Sequence, residues 1–398
     1  MENISSNCDI LHIITRLDSG GSAQNTLISC IGLSKRYRIS LAHGPSKESN
    51  MTPQEQSFVL EKIEIAKDRG VKIFLIPSLV RRIDPIKDIR AFFEISSLIR
   101  SQRPDIVHTH TSKAGILGRW AAWLLGVPYI VHTPHGHVFY GHFSRVISML
   151  FLIIEKVSSH ITNRIVALSE GELKDYIRYS VSGPSKLVKI HSGVDMDRFS
   201  KIKEAKGVFK KRLGISDTDL TVGYVGWLMH VKAPHILMNA MMEVWREFPQ
   251  TLLLFVGKGP LENRLKRLAK DRGIDNKVRF LGWRRDIEKI MPALDVFVLP
   301  SLNEGMGRVL VEAMCCGIPI VASKVGGITE LVRNGENGYL VEPGNVNSLS
   351  HAIKQLLRDE KLRERMGKRG KEIAKEYSSE GMIQLLSDLY ENLKRDKK

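Results

Sequence analysis

At 398 residues, 43% hydrophobic and 26% charged, the chain has an ordinary globular composition and the length of two or three domains. Its net charge of +17 suits an anionic membrane face or phosphorylated ligands. Nucleic acid is the weaker choice and is not expected as a partner, because no helix-turn-helix, zinc-finger or aromatic RNA-binding signature accompanies that charge, which is spread over both halves. The four cysteines (Cys8, Cys30, Cys315 and Cys316) lack zinc-like or disulfide-framework spacing and so predict a reducing compartment.

At the N-terminus no basic segment precedes an apolar core, so no signal peptide is expected and the protein is read as cytoplasmic. Ile10 to Thr15 reads as an apolar strand, followed by a Gly20-Gly21 loop and a helix from Ala23 to Leu33. Backbone donors of that loop can receive an anion at the helix N-terminus. Neither a GxGxxG fingerprint nor a GxxxxGK[ST] loop is present, which argues against a dehydrogenase or a P-loop enzyme. Ile39 to Ala42 and Ile73 to Ile76 are expected strands, with a polar loop at Lys47 to Gln56 between them. An amphipathic helix from Asp88 to Arg100, a strand from Asp105 to His110, a helix from Ala114 to Leu125 and a strand from Tyr129 to Thr133 follow. This alternation predicts a parallel sheet covered by helices on both faces.

Histidines crowd this region: His108, His110, His132, His135, His137 and His142. Their spacing could ligate zinc, but no cysteine or carboxylate cluster completes a shell. Hydrogen bonding at the carboxyl edge of the sheet is the expected role, and no metal is expected. The apolar run Val146 to Ile154 falls well short of the roughly 18 residues that span a bilayer. It is read as a buried helix from Arg145 to His160. A strand at Arg164 to Leu168, a helix from Ser169 to Tyr179 with Ser169 as its N-cap, and a strand at Val188 to His191 complete the first half. Asp195 and Asp197 form a D-x-D, which is read as structural rather than metal-binding. Lys201 to Leu213 is a charged connector helix.

The second half repeats the grammar, with strands at Thr221 to Gly226, Leu252 to Val256, Val278 to Leu281 and Val296 to Leu299. A loop from Ser301 to Arg308 then holds two glycines and Glu304, and a helix from Val309 to Cys315 carries Glu312 one turn in. Ligands of such sheets sit beyond the carboxyl ends of the strands, where glycines let backbone amides approach. Glu304 and Glu312 can face one crevice from different depths, one meeting the reacting group and the other a more distant hydroxyl. Strands at Ile318 to Ala322 and Tyr339 to Val341 are followed by helices at Asn347 to Leu357, Lys361 to Tyr377 and Gly381 to Leu393.

Three runs in the second half, E-G-M-G-x-V-L-V-E-A-M-x-C-G-x-P-I-V-A-S, V-G-G-x-x-E-L-V and E-N-G-Y-L-V-x-P-G, resemble the carboxyl half of retaining glycosyltransferases of family 4. T-H-T-S-K-A-G-I-L-G-R and V-H-T-P-H-G resemble the amino-terminal half of bacterial members that build capsule, O-antigen or lipopolysaccharide. The resemblance spans about residues 9 to 393. It implies an α/β GT-B fold, two Rossmann-like doubly wound parallel-sheet domains facing across a cleft. The expected division is residues 1–195, a linker at 196–219, a nucleotide-sugar domain at 220–377, and a terminal helix at 378–398 that packs back on the first domain.

The implied activity is metal- and cofactor-independent transfer of a sugar, with retention, from a nucleotide-sugar, foremost a UDP-sugar. The implied acceptor is a glycan or a polyprenyl-diphosphate-linked glycan, at the inner face of the cytoplasmic membrane. His135 and Glu304 match the catalytic positions, with His132 near enough to compete for the histidine role. Gly20, Gly21, Lys232, Gly305, Met306, Gly307, Arg308 and Glu312 match donor-binding positions. Trp227 stands where the family has an arginine near the donor diphosphate, and Arg308 is a candidate to supply that charge. Trp283 is a candidate base contact. Competing readings are a GT-B epimerase or sugar-phosphate synthase, a zinc hydrolase, and a non-catalytic nucleotide-sugar-binding protein.

Overall fold

The computed structural model describes residues 8–136, 145–201, 204 and 206–395. His137 and His142 lie outside them. Contacts divide the chain into two compact units, one of residues up to Gly193 together with the segment from Ser379, the other Val194–Ser378.

In the first unit seven parallel strands, β1 Asp9–Ile14, β2 Arg38–His43, β3 Lys72–Leu75, β4 Ile106–His110, β5 Tyr129–Thr133, β6 Arg164–Ala167 and β7 Leu187–Lys189, lie in the order β3-β2-β1-β4-β5-β6-β7. Helices α1 Gly21–Leu33, α2 Pro53–Asp68, α3 Pro85–Gln102, α4 Ser112–Leu124, α5 Arg145–His160 and α6 Glu170–Arg178 connect them. Parallel strands need such crossovers, and the order reverses between β1 and β4, where a doubly wound sheet opens to ligand. The unit's last helix, α15, appears below. Helix α2 corrects the expected loop at Lys47 to Gln56. Pro53 opens the helix behind a capping box, in which Thr52 Oγ1 accepts from the Glu55 N–H and Glu55 Oε2 accepts from the Thr52 N–H at 2.8 Å.

Helix α5 forms where expected but is not buried as expected. Its apolar side chains Val146, Met149, Leu150, Ile153 and Val157 are exposed, Val146 by 79%. The buried positions are polar, Ser148, Glu155, Ser158 and Ser159, with Leu152 packed beside them on the cluster of Ile165 and Tyr176. This inversion has a cause. Arg119 of α4 is fully buried and binds Glu155 through both guanidinium ends, at 2.9 and 2.6 Å, while donating to the Gly115 carbonyl. A buried charge needs a partner and filled hydrogen-bond positions, and that requirement turns the glutamate face of α5 to the core.

In the second unit short helices α7 Met196–Ser200 and α8 Lys206–Arg212 precede six parallel strands. These are β8 Thr221–Val225, β9 Leu252–Val256, β10 Val278–Phe280, β11 Val296–Leu299, β12 Ile320–Ser323 and β13 Gly338–Val341, in the order β10-β9-β8-β11-β12-β13. The helices between and after them are α9 Pro234–Trp245, α10 Glu262–Asp271, α11 Arg308–Cys315, α12 Ile328–Leu331, α13 Val346–Arg358 and α14 Glu360–Ala374. Asp195 of the D-x-D caps α7 by accepting from the Arg198 N–H, and Asp197 pairs with Lys201. Both aspartates therefore have structural partners.

Helix α15 Ser379–Arg395 belongs to the first unit and lies against α1. The close approach needs glycine at position 32, where a Cβ would stand 2.1 Å from Ile383 Cδ1. Tyr37 and Arg36 hydrogen-bond Ser387, and Tyr390 reaches His108.

Candidate active site

In the second unit the order reverses between β8 and β11, so the loops after these strands define its ligand end. Strand β8 runs into Gly226-Trp227 and a turn that ends at Lys232; β11 runs into Ser301 to Gly307. The two loops are tied by the Leu302 N–H donating to Val231 O at 2.8 Å. Lys232 Nζ forms an ion pair with Glu304 Oε2, which also accepts from Ser301 Oγ at 3.3 Å. Both charged side chains are mostly buried. The loop after β12 supports this one from behind. Gly327 N–H donates to Gly305 O at 3.0 Å, and a Cβ on Gly326 would lie 1.9 Å from Glu304 O. Gly307, at φ +83°, turns the chain into α11. Burial first, and then the Glu304 carboxylate, pushes Tyr224 up, and its hydroxyl donates to Trp227 O at 2.8 Å.

Glu312 does not share the partners of Glu304. It is half-buried on α11, facing Arg308 and Arg198. Burial raises its pKa, against the pull of those two cations. Arg308 is lowered by burial and held up by Glu312. Of the charged residues singled out in the sequence of this unit, Lys232 is ion-paired with Glu304, while Arg308 and Glu312 act on each other electrostatically.

At Trp227, where the resemblance expects arginine, a cation arrives from elsewhere. Lys258 Nζ lies 5.9 Å from the Trp227 ring centre, within cation–π range. Direct backbone packing of the loops after β8 and β9 brings it there. Leu228 N–H donates to Lys258 O at 2.8 Å, and a Cβ on Gly257 would stand 2.0 Å from Gly226 O. Sequence reasoning missed Lys258; its only signal was a lysine between two glycines. Trp283 is half-buried in the turn beyond β10, which is joined to the β9 loop by Gly257 N–H donating to Gly282 O.

In the first unit Gly20 caps α1 and Gly21 begins it, exposed. The Gly20 N–H donates to Asp18 Oδ1 at 2.9 Å, so this amide already holds a carboxylate. The histidines divide into two environments. His132 is buried in the core, its Nδ1 2.9 Å from Thr109 Oγ1 and its ring against Gly115. Burial first, then Arg119, lowers its pKa well below the usual imidazole range. His135 is half-buried in the loop after β5, at φ +57°, a left-handed conformation rare outside glycine and concentrated at functional sites. Glu172 braces this loop by accepting from the Gly136 and Leu168 N–H groups. Burial pushes Glu172 up to about 7 despite those two bonds.

His135 Nε2 is 2.9 Å from His110 Nδ1, and His110 stacks on His108 and His12 with ring centres 4.4 to 5.2 Å apart. The alternation of β4 puts His108 and His110 on one face, and the β1–β4 register sets His12 beside His108. Among the described residues, His12, His108 and His110 are the one His/Cys/Asp/Glu group close enough to share a metal ion. His12 Nδ1 bonds His110 Nε2, and the two ring nitrogens of His108 bond the Tyr390 and Thr133 hydroxyls.

Two doubly wound parallel sheets, each with a glycine-bearing loop at its switch point, define a two-domain α/β protein of the GT-B type. The sequence matches Glycosyltransferase Family 4 over residues 40–198 and Glycosyl transferases group 1 over residues 206–373. UDP-Gal:alpha-D-GlcNAc-diphosphoundecaprenol alpha-1,3-galactosyltransferase of Escherichia coli is 34% identical over 298 residues, 74% of this chain and 77% of that protein. D-inositol 3-phosphate glycosyltransferase of Corynebacterium jeikeium is 29% identical over 305 residues, 73% and 72% of the two chains. The fold of Anabaena Alr3699/HepE, solved with UDP and glucose, superposes with a TM-score of 0.79 at 20% identity, over 97% of this chain and 100% of that one. The chain belongs to glycosyltransferase family 4 and is a retaining hexosyltransferase.

Proposed function

We propose that the protein moves a sugar, galactose foremost, from a UDP-sugar to a hydroxyl of a polyprenyl-diphosphate-linked glycan in the assembly of a cell-surface polysaccharide. The Escherichia coli relative takes its sugar from UDP-Gal and gives it to such an acceptor. The observation that carries the reading is the Lys232–Glu304 pair at the switch point of the second sheet. A departing nucleoside diphosphate needs preorganised positive charge, and Lys232 with Lys258 supplies it without a metal. Arg308, which faces Glu312, is the second-line candidate for that role. Glu304 and the amides of Gly305, Met306 and Gly307 read the donor sugar, and Glu312 takes the ribose hydroxyls. In the first unit the Gly20-Gly21 turn serves the phosphates, and His135 meets the reacting sugar. His135 is preferred over His132 because the latter is sealed in the core. The working division is a first domain of residues 1–195, a linker to 219, a donor domain to 377, and a terminal helix.

An acceptor on a lipid brings the enzyme to a cytoplasmic membrane face, and the outward apolar side of α5 supports that placement. Among the described residues no helix is long and apolar enough to cross a membrane. Helix α4 packs on α3 and on α5, and α3 exposes Ile86, Ile89 and Phe93 beside exposed Arg81 and Arg90. Apolar side chains flanked by cations suit an anionic interface.

The test is transfer from UDP-Gal to GlcNAc-diphosphopolyprenol carried in phosphatidylglycerol vesicles. Replacing Val146, Leu150 and Ile153 with serine should weaken vesicle flotation by about tenfold or more, since each buried aliphatic side chain contributes on the order of 1.5–3 kcal/mol. Transfer to a short-chain acceptor in solution should stay within twofold of wild type. Equal flotation of variant and wild type would remove the membrane reading, and transfer to free glycans alone would remove the lipid-linked acceptor.

A further inference from the structure

The contact between His135 and His110 is the end of a longer chain. His110 Nδ1 lies 2.9 Å from His135 Nε2, and His110 Nε2 shares a hydrogen bond with His12 Nδ1, also at 2.9 Å. His12 Nε2 is buried without a hydrogen-bond partner among the described residues. Each link needs one N–H and one lone pair. Burial keeps the inner rings neutral, taking His12 down to about 3 and His110 well below the usual range. Each neutral ring carries one proton, so the chain has two self-consistent arrangements. In the first, His12 Nδ1–H donates to His110 Nε2 and His110 Nδ1–H donates to His135 Nε2. His12 Nε2 is then a bare lone pair, and the proton of His135 is on Nδ1. In the second every proton is reversed, and His12 carries a buried N–H with no acceptor.

The two arrangements differ in cost. A buried N–H without an acceptor is rarer and dearer than an unfilled acceptor. We propose that His12 and His110 are positioning residues that lock His135 as its Nδ1–H tautomer, with its Nε2 lone pair occupied. The inference rests on the reading of His135 as the residue that meets the reacting sugar. So locked, His135 carries its proton on Nδ1, and its Nε2 lone pair is held by His110 and does not act as a base. Tyr390 and Thr133 serve the chain indirectly, by fixing His108, the ring stacked on His110, at 2.6 and 2.8 Å.

The test is nitrogen NMR of histidine-labelled full-length protein, with the His135 signals assigned by their loss in His135→Gln. Wild type should show a protonated Nδ1 and a lone-pair Nε2 at His135. His12→Leu removes the donor at the far end and should give a mixture of both tautomers. In the same variant kcat should fall about tenfold at an unchanged donor KM, the size seen when an outer hydrogen-bond partner of a ligand histidine is lost. His12→Asn, whose amide reaches the Nδ1 position, should restore both. A wild-type His135 protonated on Nε2 overturns the proposal whether or not any variant folds. Unchanged tautomer populations in His12→Leu overturn it too. Released tautomers with unchanged kcat support the lock and instead remove His135 from the chemistry, as would full activity of His135→Gln.

Discussion

Glu304→Gln is expected to lower kcat for sugar transfer by about 10³-fold, with donor affinity changed by less than about threefold. Glutamine keeps the shape of the side chain and its reach to Ser301, so the loop after β11 should stand. The negative charge is lost, and with it the partner of Lys232. In the proposed site that charge stabilises the positive character that builds on the donor sugar as the diphosphate leaves. Such a group acts mainly in the transition state, so the loss should fall on kcat rather than on binding. Steady-state release of diphosphate, beside calorimetric binding of UDP, separates the two. Activity within threefold of wild type would move the catalytic centre away from Glu304. Weakened UDP binding with little loss of kcat would make Glu304 a donor-holding group only.

The second large effect is on stability. Arg119→Met should destabilise the first unit by about 3–5 kcal/mol, because it strands the Glu155 carboxylate in the core. Among the described residues Glu155 would keep the Tyr176 hydroxyl, 3.4 Å away, and the His132 ring, 3.8 Å away. Arg119→Met combined with Glu155→Leu removes both charges and should recover most of the loss. Urea unfolding with hydrogen exchange on α4 and α5 measures both variants. If the single variant is within about 1 kcal/mol of wild type, the buried pair does not explain why α5 turns its apolar side outward.

The sheets were legible because parallel, doubly covered strands are short apolar runs between polar turns. Ile10 to Thr15 and Val296 to Leu299 show it within one turn of their observed bounds. Helix α2 was hidden because Lys47 to Gln56 is polar, and its start lay in the Thr52–Glu55 cap rather than in hydrophobic periodicity. Helix α5 shows a deeper limit. Apolar periodicity tells which residues share a face, not which way the face points. Its direction was set by the Arg119–Glu155 pair, 36 residues apart in sequence. Long range also hid His12, whose partner His110 is 98 residues away and is brought to it by the β1–β4 register. Glu304 and Lys232 were singled out from their motifs, 72 residues apart, and the structure brings them into contact. Lys258 lies between Gly257 and Gly259, and only the packing of those glycines showed where the lysine goes.

The measurement that bears most directly on the proposed chemistry is release of nucleoside diphosphate by the purified protein from a panel of UDP- and GDP-sugars. Lipid-linked acceptor would be present, with and without EDTA. Acceptor-dependent release from one UDP-sugar, unaffected by EDTA, is the predicted result. Release abolished by EDTA and restored by a divalent metal would contradict the metal-independent site built on Lys232 and Glu304, and would return attention to His12, His108 and His110. Turnover without an acceptor would contradict transfer itself and favour an epimerase.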